Sequence, residues 1–160
     1  RGWGWVSLAA GRRTARRGRA AGGGEVIQTF VNRYMAARDA LRAEYAKGWP
    51  DNYEAIVKSV VTVIQSEDGS YDDFDIDPDR IHLIDDGDNR GTLLFVIACK
   101  SYQPSRYWAV KVGYGSCSGC DTLQSLRVYS DDPPSEEGLD GLMTLSLHVV
   151  QGLVLVGGEE

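Results

Sequence analysis

Thr92-Leu-Leu-Phe-Val-Ile-Ala-Cys-Lys100 decides the fold class. An apolar run of this length, rich in branched and aromatic residues and bounded by turn chemistry, is too short for a buried helix. It predicts a central strand covered on both faces. Immediately before it, Asp86-Gly-Asp-Asn-Arg-Gly91 is a turn, and Arg80 to Asp85 alternates as a second strand. After it, Tyr102-Gln-Pro104 breaks the chain. Arg106 to Gly113 then alternates, with Trp108, Val110 and Val112 on one side and Tyr107, Ala109 and Lys111 on the other. Three strands with short links predict an antiparallel meander.

Outward from the strands the period changes to that of helices. Ile27, Phe30, Val31, Tyr34, Leu41 and Tyr45 form a helical stripe from Glu25 to Lys47, stopped by Gly48-Trp49-Pro50. Asp51 and Glu54 have capping-box spacing, and Tyr53, Ile56, Val57, Val60 and Ile64 continue as a second helix. The short link predicts a helix hairpin. Asp121 and Gln124 repeat the capping-box spacing ahead of a short helix from Thr122 to about Tyr129. Ser135 then opens a long helix with Leu139, Leu142, Met143, Val150, Leu153 and Val154 inward. The expected fold is α+β: an N-terminal helix hairpin, a three-stranded antiparallel sheet, a short helix and a long C-terminal helix, as one domain over residues 25–160.

Composition narrows the function classes. The 160 residues are 42% hydrophobic and 25% charged, ordinary for one globular domain. No apolar run approaches the roughly 20 residues that cross a bilayer. Three cysteines, an odd number, favour a reducing cytoplasmic setting over a disulfide framework. Arg1, Arg12, Arg13, Arg16, Arg17 and Arg19 lie in residues 1–24, which hold seven glycines and no acid. That segment is expected to be a disordered basic extension. An export signal lacks its apolar stretch, and a transit peptide should be richer in serine. A chain opening on arginine also reads as carrying an upstream extension. From Glu25 onward 11 basic residues face 23 acidic ones, a net charge of −12. An acidic body repels phosphates, so a nucleic-acid role would rest on the basic extension alone and a protein partner is expected instead.

Asp75-x-Asp77-x-Asp79 has the opening spacing of a calcium loop. Arg80 stands where that loop turns on glycine and no glutamate closes it, so a solvated acidic turn is expected. The chemistry concentrates at Tyr114-Gly-Ser-Cys-Ser-Gly-Cys-Asp121, with Gln124 beyond it. Tyr114, Gly115, Ser116, Cys117, Gly119, Cys120, Asp121 and Gln124 form the candidate functional loop. Four readings compete there. Cys117 and Cys120 supply half a tetrahedral zinc shell, which His148 on the last helix could extend, with Cys99, His82 or Asp121 as other donors. Strand, C-x-x-C and helix is the local order of redox dithiols, although the flanking elements differ from a thioredoxin-like fold. A thiol nucleophile would use His148 as base and Asp121 as its orienter. Lastly, small residues and cysteines pack well in a tight turn, with Asp121 as a cap and no cofactor at all.

Gly87-Asp-Asn-Arg-Gly-Thr-Leu-Leu-Phe-Val-Ile97, Tyr102-Gln-Pro104, Tyr114-Gly-Ser-Cys-Ser-Gly-Cys-Asp-Thr-Leu-Gln124 and Met143-Thr-Leu-Ser-Leu-His-Val-Val-Gln151 together resemble a family of small uncharacterised bacteriophage and prophage proteins. The resemblance runs from Arg80 to Gln151, and Asn89 stands where that family has an aromatic residue. It implies a phage-encoded accessory protein in the host bacterial cytoplasm. The expected function is a non-enzymatic protein-interaction domain with a structural cysteine loop. The alternative from another class is a zinc-binding or thiol-dependent enzyme centred on Cys117, Cys120 and His148.

Overall fold

A computed structural model describes residues 23–67, 74–127 and 131–158. The basic extension lies outside them as far as residue 22, and Gly23 and Gly24, expected to be disordered with it, instead open the first helix. In chain order the elements are α1 (Gly23–Ala46), α2 (Tyr53–Ile64), β1 (Ile76–Asp85), β2 (Gly91–Cys99), β3 (Arg106–Tyr114), α3 (Thr122–Arg127), α4 (Glu136–Gln151) and β4 (Val154–Gly157). The α+β class and the meander stand as expected. The sheet has a fourth strand, in the order β1-β2-β3-β4, antiparallel throughout.

That fourth strand corrects the reading of the C-terminus. The helix α4 stops at Gln151, where Gly152 donates its N–H to the His148 carbonyl. Leu153 and Val154 therefore do not belong to the helix. Beyond Gly152, Leu153-Val-Leu-Val156 alternates with period two, and Val154–Gly157 pairs with β3 through Tyr107↔Val156 and Trp108↔Leu155. Gly157 sits at φ 83°, a conformation suited to glycine, and ends the strand.

Register assigns every side chain to a face. Ile81, Ile97, Trp108 and Leu155 share one cross-strand row, and Leu83, Phe95 and Val110 share the next. These rows point at the helices. Phe95, Ile97 and Trp108 are fully buried there with Phe30, Ile56, Val60 and Leu142. Phe30 meets Trp108 edge to face at 5.2 Å, and the Trp108 indole N–H donates to the Phe74 carbonyl. Each such fully buried large apolar side chain contributes about 1.5–3 kcal/mol.

The opposite face carries His82, Ile84, Leu94, Val96, Ala109, Lys111, Val154 and Val156, and its outer positions stay exposed. The expectation that the Thr92–Lys100 strand is covered on both faces is thus corrected. All the described helices lie on one side, so the run sends Phe95, Ile97 and Cys99 to the core, and of its opposite face only Ala98 is buried. Among the described residues no helix is long and apolar enough to cross a membrane.

Two local readings also change. The cap of α2 is Asn52, whose side chain accepts the Ala55 N–H at 2.9 Å, and not Asp51. Asp75 is not solvated: it is buried, paired with Arg33 at 2.9 Å and Lys100 at 3.1 Å, and accepts the Ser66 N–H. Arg33 also donates to the Ile64 carbonyl, so one carboxylate joins α1, the end of α2 and the end of β2. Asp77 instead holds Arg80 at 2.7 Å. Burial forces this arrangement, since a carboxylate removed from water must find cations and N–H donors.

Candidate functional site

The strand β3 delivers Tyr114 to the start of the cysteine loop, and α3 begins where the loop ends. The Tyr114 hydroxyl shares its one proton between Asp85 Oδ1 at 2.7 Å and the Gly87 carbonyl at 2.8 Å, tying the loop's first residue to the β1–β2 turn. The Asp85 carboxylate next to it, together with desolvation and Asp86 and Asp88, pushes the phenol up to about 12. A phenol held so firmly protonated is an anchor and not a base at neutral pH.

Gly115 is held on both sides. Its N–H donates to Asp121 Oδ2 at 3.1 Å, and its carbonyl accepts from Gln124 Nε2 at 3.2 Å. A methyl group there would run into the Cys120 carbonyl and sulfur, so glycine is required by close approach. Asp121 is buried and divides its oxygens between this N–H, the Gln124 N–H at 2.9 Å and the Tyr53 hydroxyl at 3.1 Å. Tyr53 in turn accepts the Leu123 N–H at 3.0 Å. The expected cap at Asp121 is present. Gln124 turns its amide to Gly115, so the reciprocal half of the box is replaced by a latch across the loop.

Above this latch Cys117, Ser118, Gly119 and Cys120 make a tight turn closed by Cys120 N–H to the Cys117 carbonyl at 3.0 Å. The two Sγ atoms lie 2.9 Å apart, and Cys117 N–H reaches Cys120 Sγ at 3.3 Å. Both residues are exposed, whereas Cys99 is buried in the core. The packing role considered for the cysteines therefore fits Cys99 and not the pair in the loop. Hydrogen bonding from the Cys117 thiol, then from the Cys117 and Ser116 groups, lowers the Cys120 pKa against a smaller opposing effect of desolvation.

His148 lies on the last helix. It is exposed on α4 beside a shallow recess of 200 Å³ lined by Tyr53, Lys111, Thr122 and Leu145, and neither loop cysteine lines that recess. Asp121 makes its contacts with Gly115, Tyr53 and Gln124, so a base-and-orienter pair with His148 is not assembled. His82 stands on the open face of the sheet. Among the described residues no group of three or more His, Cys, Asp or Glu side chains could hold a metal ion, so Cys117, Cys120 and His148 are not gathered as a ligand set.

Beside the loop lies a recess of 330 Å³ with Leu83, Leu93 and Leu123 as its apolar lining and Asp51, Glu54 and Asp85 among its polar groups. Residue patterns alone miss Tyr53, Asp85 and this recess. Tyr53 belongs to the apolar stripe of α2, and nothing local marks its hydroxyl as a partner for Asp121. A comparison with protein-family models, with curated proteins and with solved structures returns no match.

Proposed function

We propose that the chain is a non-enzymatic accessory protein of phage type, acting in the host bacterial cytoplasm by docking a protein partner on the open face of its sheet. The observation that carries this reading is the register. Cross-strand rows His82–Val96–Ala109–Val154 and Ile84–Leu94–Lys111 form an apolar surface, with Ile84 46% and Val154 60% exposed. Such a contiguous patch costs solubility unless a partner uses it. In a chain of net charge −6 these two rows bear Lys111 and His82 and no carboxylate. Two copies set face to face would offer Lys111 no carboxylate from these rows. The fitting occupant is a different protein with an apolar centre and a carboxylate rim.

The test is a photo-reactive residue at Val154 in the full chain, expressed in the host, with Met35 on α1 as the control position. A protein captured from position 154 but not 35, and lost when Ile84→Asp is added, supports the reading. Capture of nothing, of a second copy, or of the same proteins from both positions refutes it.

A second reading is favoured by the exposure of Cys117 and Cys120 and their 2.9 Å separation: a zinc-binding or thiol-dependent enzyme centred on Cys117, Cys120 and His148.

A further inference from the structure

We propose that Cys117 and Cys120 are a redox-active dithiol that closes reversibly to an intrachain disulfide by exchange with a small-molecule disulfide. This stands apart from partner docking and rests on the loop alone. Four observations carry it. A four-residue turn closed by a backbone hydrogen bond holds its end Cα atoms within about 7 Å. That overlaps the range of about 4.4–6.8 Å that a disulfide spans. The sulfurs already face one another at 2.9 Å, so closure asks for a small further approach of the two side chains. Both thiols are open to a reagent, and Cys99 is buried away from competition. Finally, the loop is fixed from below: Asp121 and Gln124 hold both backbone groups of Gly115, and Cys120 rests on that residue with no room for a side chain between.

The exchange balances with a disulfide RSSR as the oxidant. Cys120 loses its proton to solvent, and its thiolate is held by the Cys117 N–H and thiol. It attacks one sulfur of RSSR, forming a mixed disulfide and releasing RS⁻. Cys117 then loses its proton and attacks Cys120 Sγ, breaking the mixed bond and releasing a second RS⁻. Two protein thiols are oxidised, one RSSR is reduced, and the two RS⁻ take up the two protons.

The experiment equilibrates the full chain in buffers of reduced and oxidised glutathione, quenches with acid, and reads the products by mass spectrometry and peptide mapping. The expected product is 2 Da lighter, links Cys117 to Cys120, leaves Cys99 as a thiol and reverts with dithiothreitol. At equal buffer the folded chain should be about tenfold more oxidised than a free peptide spanning residues 114–124, because the fold presets the geometry. Cys117→Ser should accumulate glutathione on Cys120, and Cys120→Ser should react about tenfold more slowly at pH 7. A stable glutathione adduct on the unaltered chain, a bridge through Cys99, or oxidation no greater than the free peptide's would each overturn the proposal.

Discussion

The Tyr53 hydroxyl donates to Asp121 Oδ1 at 3.1 Å while accepting the Leu123 N–H at 3.0 Å. A helix from the first half of the chain thus supports the cap of the cysteine loop from beneath. The loop's geometry is consequently a tertiary property, although its residues are contiguous. Tyr53→Phe leaves two partners inside the protein short of a hydrogen bond and should cost about 1–3 kcal/mol. Urea unfolding of the variant against the parent chain measures it, and an unchanged midpoint would show that water replaces the hydroxyl freely.

Removing Asp75 should be the most damaging polar substitution. Its side chain is 1% exposed, against 32% for Arg33 and 20% for Lys100, so the loss falls on partly buried cations and on the Ser66 N–H. Asp75→Ala should lower stability by about 3 kcal/mol. Adding Arg33→Ala should then cost much less than it does alone, which a double-mutant cycle reads directly.

The glycines of α4 allow a sharper test of packing. Gly138 faces the Trp49 ring, which a new Cβ would approach to 2.8 Å, and the Trp49 indole N–H is fixed on the Asp132 carbonyl. Gly138→Ala improves helix propensity by up to about 1 kcal/mol. Overpacking of about 1–3 kcal/mol should outweigh that gain. A lower melting temperature is expected; a higher one would mean that Trp49 yields easily.

Alkaline pH should weaken the fold through its tyrosines. Tyr34 and Tyr114 are pushed up to about 12, Tyr34 chiefly by burial and Tyr114 chiefly by its hydrogen bond to Asp85. Burial also raises Tyr45 and Tyr53. The folded chain then binds more protons than the unfolded one between about pH 10 and 12. The stabilisation is complete below pH 10 and lost as pH rises toward 12. Ultraviolet titration should show late-ionising phenols, and Tyr114→Phe should remove one of the late steps.

Metal content separates the remaining chemistries. Among the described residues the two thiols have no third placed donor and form an incomplete zinc shell. The full chain should give up zinc to a chelator and stay folded by circular dichroism. One zinc per chain that survives the chelator, and is lost in Cys117→Ser and His148→Ala, would mean that the loop and α4 come together in solution.

Period and turn chemistry were legible from residues alone because they act over a few positions. The alternation of Arg106 to Gly113, the stops at Gly48 and Tyr102-Gln-Pro104, and the caps at Ser135 and Asp121 all follow from local rules, and each stands in the fold. The fourth strand was hidden because Leu153-Val-Leu-Val156 is equally apolar on a helical continuation. Only pairing with Tyr107 and Trp108 selects the extended form. The buried Asp75, the Tyr53 support, the separation of His148 from the cysteines and the open face of the sheet likewise depend on residues far apart in the chain. Local pattern determined the helices, the three-strand meander and most of their stops and caps. Tertiary packing decided which faces are covered and which polar groups meet, because burial is a property of what the rest of the chain brings alongside.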